Sequence, residues 1–137
     1  VAQFLTTIFG SIYHDQLQRN VTDPNYPIEV LSDGYKMIRA YREEALKIKG
    51  TKIPAKDKVE WGWQITIKNK TSRNIKVYIE YFLTDQDGFQ VGYGNIFIDD
   101  ARIPAGQTII LQEKATMPYE NVKMVSKSFW KIEPFYE

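Results

Sequence analysis

The sequence predicts a mainly β chain, an antiparallel sandwich or barrel preceded by an apolar N-terminal segment and one amphipathic helix. Two observations carry this. From residue 59 onward apolar residues alternate strictly with polar ones, the period of a strand with one buried face. Short strands then recur about every ten residues, separated by turn residues and with no helical stretch between them. The length of 137 residues fits about one domain with a real core, and nine Tyr, seven Phe and three Trp supply more buriable surface than a disordered chain carries.

The elements follow in order. Residues 1–13, VAQFLTTIFGSIY, contain no charge. As a helix they would reach about 20 Å, short of the roughly 30 Å of a bilayer's hydrocarbon, so they do not span it alone. They read either as the outer end of a membrane anchor or uncleaved signal segment, or as an apolar element packed on the domain. Residues 1–26 as a whole form this apolar start and a polar linker, closed by the breaker Asp23-Pro24-Asn25. In 27–50, Ile28, Leu31, Tyr35, Ile38, Tyr41, Ala45 and Ile48 recur at steps of three and four, which predicts an amphipathic helix. Pro27 suits its first turn, while Lys47, Lys49 and Gly50 suit its end. Gly34 sits awkwardly inside it, and residues 35–48 also admit an extended conformation.

Residues 57–137 form the β domain. Val59, Trp61, Trp63, Ile65 and Ile67 share one strand face. Ile75, Val77, Ile79, Tyr81 and Leu83 share another, after a polar turn at 69–74. Asp85-Gln86-Asp87-Gly88 closes a hairpin, with Gly88 supplying positive φ. The third strand, 89–98, changes parity, which predicts a bulge near Gly92 or Gly94. Strands at 108–114 and about 122–132 complete the set.

This succession, a strand ending ITIKNKT, the strand VYIEYFLTDQDGF, then IPAGQT and a closing strand, resembles the FxLYD-type immunoglobulin-like domains of bacterial and archaeal envelope proteins. Phe82 or Tyr81, Leu83 and Asp85 match the signature, and Thr84 stands where that family tends to have Tyr. Asn69, Gly88 and Gly106 match its strand-closing asparagine and turn glycines. The resemblance covers residues 59–132. It implies an immunoglobulin-like β-sandwich without catalytic function, often tethered outside the cytoplasmic membrane, serving interaction or a larger protein.

The residues themselves offer little chemistry. Without cysteine there is no disulfide, thiolate ligand or thiol nucleophile. A net charge of +1 argues against a general nucleic-acid binder. The single histidine, His14, reads as a solvated junction residue, and one histidine falls short of a zinc site or a triad. Asp85, Asp87 and Asp99 form a weak calcium candidate, set against an ordinary hairpin turn. Asp99 and Asp100 point to opposite strand faces and cannot flank one glycosidic bond. Gly92-Tyr93-Gly94 lacks the third glycine of a dinucleotide loop. Asn20-Val21-Thr22 and Asn69-Lys70-Thr71 match glycosylation sequons. The lysines at 47, 49, 52, 56 and 58 read as a solvated helix end and linker, or as contacts for anionic headgroups if the chain is membrane-anchored. No catalytic residue or cofactor is therefore expected.

Aromatics are the remaining signal. Tyr78 and Phe82 make the second strand apolar on both sides, so the helix or a partner must cover its outer face. Tyr78, Phe82, Trp130, Phe135 and Tyr136 are the expected interaction surface. The function expected is that of a non-catalytic envelope subunit, periplasmic or on the cell surface, working through protein contacts in a larger assembly, with membrane association through the N-terminal segment. The alternative is a carbohydrate-like ligand module that stacks exposed Trp or Tyr on its ligand.

Overall fold

The computed structural model describes residues 24–137, and the apolar start, His14 and the first sequon lie outside that range. The chain is mainly β, with antiparallel pairing throughout. In order, the strands are β1 (Ile28–Glu43), β2 (Leu46–Ile48), β3 (Thr51–Ile53), β4 (Lys56–Asn69), β5 (Ile75–Thr84), β6 (Gln90–Ile96), β7 (Arg102–Ile103), β8 (Thr108–Pro118) and β9 (Lys127–Tyr136). One sheet has the order β1-β4-β8. The second centres on β5, with β9 along one edge and β6 followed by β7 along the other.

The alternation in β4 and β5 builds the core. Val59, Trp61, Trp63, Ile65 and Ile67 are all buried, as are Ile75, Val77, Ile79, Tyr81 and Leu83. The two strands meet where the Trp63 indole stacks on the Tyr81 ring, 5.0 Å between centroids and 9° between planes. Trp61 packs obliquely on the same ring at 6.3 Å. Gly94 of β6 lies against Trp63: a Cβ there would clash with the indole Nε1, so the missing side chain makes room for the stack. Tyr81 donates its hydroxyl to Asp33 on β1 at 2.8 Å, tying the two sheets together.

Residues 27–50 are not an amphipathic helix. They form β1, β2 and the turn after them. The helical series ran through Leu31 and Ile38, and these are the two residues where the β1–β4 register slips. Each bulge inserts one residue, so positions facing the core fall three apart, Val30 to Asp33 and Met37 to Ala40, a spacing that mimics a helix. Gly50 is likewise no helix cap. With Lys49 at φ 50° and Gly50 at φ 80°, it closes a two-residue hairpin.

The expected turn at 85–88 is present: Asp85 Oδ1 accepts the amides of Asp87 and Phe89, both at 2.9 Å, with Gly88 at φ 88°. The register slip in β6 falls at Val91, one residue before Gly92. The last strand begins later than expected, since a 3-10 turn occupies Tyr119–Met124. Asn69, fully buried at the end of β4, acts as a clamp. Its Nδ2 donates to Arg73 O (2.8 Å) and Ile103 O (3.0 Å), and its Oδ1 accepts from Thr71 N (2.9 Å) and Thr71 Oγ1 (2.8 Å).

Candidate interaction surface

Because β1 joins the first sheet, the helix expected to cover the outer face of β5 is not there. That face follows from strand parity. Tyr78, Glu80 and Phe82 point outward from β5, flanked by Tyr93 and Asn95 on β6 and by Phe129, Lys131 and Glu133 on β9. Phe82 and Tyr93 pack at 5.3 Å between ring centroids, and Tyr78 and Phe97 at 6.5 Å. Phe97 is 64% exposed and Phe135, farther along β9, 45%.

A short polar network runs through these rings. The Tyr93 hydroxyl donates to Glu80 Oε2 at 2.8 Å and lies 3.5 Å from the Tyr78 hydroxyl. Desolvation by partial burial, and then the hydrogen bonds with Tyr78 and Glu80, push the Tyr93 phenol well above its ordinary pKa. Lys131 pairs with Glu133 at 3.7 Å. The result is an amphipathic platform of phenyl and phenol rings edged by paired charges. It can bury aromatic area against a partner while its hydroxyls stay hydrogen-bonded.

Of the five residues expected on a surface, Tyr78, half-buried, and Phe135, exposed, lie on this face, whereas Phe82 points the same way but is buried at 9% exposure, packed against Tyr93. Trp130 does not: it pairs with Tyr81 from the core side of β9 and is 8% exposed. Strand parity decides this, since Phe129 takes the outward position beside it. Tyr136 lies at the end of the sheet with the Arg73 guanidinium 4.3 Å from its ring centroid, while Arg102 holds Glu137 at 3.0 Å, so the aromatic C-terminal residues are docked. Tyr93, Phe97 and Phe129 complete the platform. Their signal was the outward parity of β6 and β9, legible only once the bulge and the start of β9 are placed.

Trp61, Trp63 and Trp130 are all buried, which leaves the carbohydrate-stacking alternative without its tryptophans. The calcium candidate also dissolves. Asp85 and Asp87 sit at one end of β5, and Asp99 pairs with Lys76 at the other end, 3.3 Å away. Among the described residues, no three His, Asp or Glu side chains gather to hold a metal. An open groove of ≈ 780 Å³ lies on the first sheet, lined by Gly34, Ile38, Gly62, Gln64, Gln112 and Lys114. The Gln64 and Gln112 side-chain amides that line it are bonded to each other at 2.9 Å. No helix of the described residues is long and apolar enough to cross a membrane.

No family model and no curated protein matches the chain. Among solved structures it is similar to a β-glucuronidase of glycoside hydrolase family 2, at 18% identity over 62% of this chain and 7% of that one, TM-score 0.42. It is also similar to the structural-genomics target SoR45, at 15% identity over 80% and 85% of the two chains, TM-score 0.42. A DUF1425 family member from Shewanella sp. pv-4 matches at 10% identity over 65% and 85%, TM-score 0.36. The chain thus spans 7% of the glucuronidase's length and most of the other two. At these identities no residue role passes from any of them to this chain.

Proposed function

We propose that the chain is a non-catalytic immunoglobulin-like module of FxLYD type that works through protein–protein contacts, as an accessory or structural subunit of an extracytoplasmic, membrane-associated assembly. The strand order β1-β4-β8 facing β6-β5-β9, and the matching Asn69, Gly88 and Gly106, support the family reading. Thr84, buried in place of the usual Tyr, is its departure from the pattern.

The observation that carries the functional reading is the aromatic platform on the second sheet, where Phe97 stands largely in water beside Tyr78. Contiguous apolar surface of this kind marks interfaces. The test is photo-crosslinking from benzoylphenylalanine placed at position 97 or 135, with position 110, exposed on the first sheet, as control. Discrete adducts at 97 and 135 in the native compartment, absent at 110, are the expected result. Adducts equal at all three positions, or none at 97 and 135, would refute it.

A further inference from the structure

The two strands β1 and β4 continue past the sandwich as an arm, β2 and β3, closed by the tight Lys49-Gly50 turn. Apart from pairing with each other, these strands make no substantial contact with another element among the described residues. Residues 44–52 are exposed, Leu46 at 50% and Ile48 at 52%. A two-stranded hairpin without a covered face is marginal in water.

The arm has two chemical faces. Its register pairs Ile48 with Thr51 and sets Lys47 directly opposite Lys52. Leu46, Ile48 and Thr51 therefore share one side and Lys47 and Lys52 the other, with Lys49 at the tip. Like charges placed opposite each other across a strand pair repel. Residues 46–53 hold three lysines and no acid in a chain whose net charge is only +1. None of Lys47, Lys49, Lys52, Lys56 and Lys58 has an acidic partner among the described residues, whereas Arg42 is paired with Asp57 at 3.6 Å.

We infer that this arm docks on an anionic lipid surface, with Leu46 and Ile48 entering the boundary between headgroups and acyl chains and the lysines on lipid phosphates. Both unfavourable features of the free arm, exposed aliphatic area and opposed ammonium groups, are relieved by the same surface. A projecting convex tip suits a deformable bilayer, where long lysine stems reach the phosphate level. Each lysine near such a surface contributes about fivefold in partitioning. The inference is independent of the aromatic platform.

The test uses the full chain with vesicles of phosphatidylcholine, with and without phosphatidylglycerol. Since the sequence has no cysteine, Ile48→Cys carries a single environment-sensitive dye, with Ile110→Cys as control. A blue shift at position 48 but not at 110, on anionic vesicles only, is expected. Lys47→Glu with Lys52→Glu should weaken co-sedimentation at least tenfold, and Leu46→Ser with Ile48→Ser should abolish the blue shift seen from a dye at position 51. Neither pair should alter the unfolding transition, because the arm lies outside the core. These readouts sit on the arm, so binding by the apolar start of the chain does not imitate them. Equal response to neutral and anionic vesicles, or none to either, overturns the inference. So does a shift with soluble polyglutamate but not with vesicles, which would assign the arm to an acidic protein.

Discussion

Replacing Asn69 with alanine removes four hydrogen bonds from a fully buried side chain. Two of the orphaned groups, Thr71 N and Oγ1, lie near solvent and regain water at little cost. The Ile103 carbonyl is buried and does not, and an unmade hydrogen bond there costs about 1–3 kcal/mol. The half-buried Arg73 carbonyl adds about 1 kcal/mol, so the expected loss is about 3 kcal/mol. Asn69→Asp is the sharper probe. It keeps the acceptor toward Thr71 but turns a carboxylate oxygen on the two carbonyls that Nδ2 served. Its folded-state pKa is raised, so its penalty is largest at neutral pH and shrinks as acid protonates the carboxyl. Thr71→Val, which loses one partly buried hydroxyl bond to Asn69 and exposed ones with Arg73, should cost no more than about 1 kcal/mol. Urea unfolding followed by tryptophan fluorescence reads all three variants, because every tryptophan is buried. An Asn69→Ala loss below about 1 kcal/mol, or an Asn69→Asp penalty that ignores pH, would show that the clamp does not hold the end of β4 to β7.

Three other outcomes follow. Gly94→Ala should destabilise by about 1–3 kcal/mol, because the new methyl meets an indole already fixed by stacking, while Gly34→Ala, with open space around it, should be close to neutral in the same assay. In a glycosylating host Asn69 should remain unmodified despite its sequon, since its amide nitrogen is buried and donates to two carbonyls; peptide mass mapping checks this. Tyr26, Tyr81 and Tyr93 all have pKa values raised above 10.0, chiefly by burial. Their neutral forms are favoured in the fold, so this contribution to stability is full below the ordinary phenol pKa and falls away as pH rises above it. An ultraviolet alkaline titration should show three phenols ionising late, with unfolding midpoints dropping in the same range.

Strands β4 and β5 were legible because one buried face gives a clean period of two, and the turn at 85–88 because Asp and Gly carry their own geometry. Strand β1 was not, since its two bulges convert that period into steps of three. Gly50 was ambiguous for a local reason: a helix end and a two-residue hairpin both require a left-handed residue there. The platform was half visible. Tyr78 and Phe82 announced a strand apolar on both sides, but Trp130 and Phe129 exchange faces with a single step of register, which no local pattern settles. Half of the arm, β2 and its turn, stayed hidden inside the supposed helix, and β3 fell in the short stretch between that helix and the β domain.

The bulges at Leu31 and Ile38 bear on solubility. Strand β1 is sixteen residues long and forms an edge of its sheet, an open template for adding another chain. Each bulge breaks the row of free amides and carbonyls that an incoming strand would need. Each is also an extra residue, so deleting both would leave every remaining side chain of β1 on its present face and the core intact. Such a shortened chain would fold as before yet present an uninterrupted edge, losing its guard against filament-like association while its stability in dilute solution hardly changes.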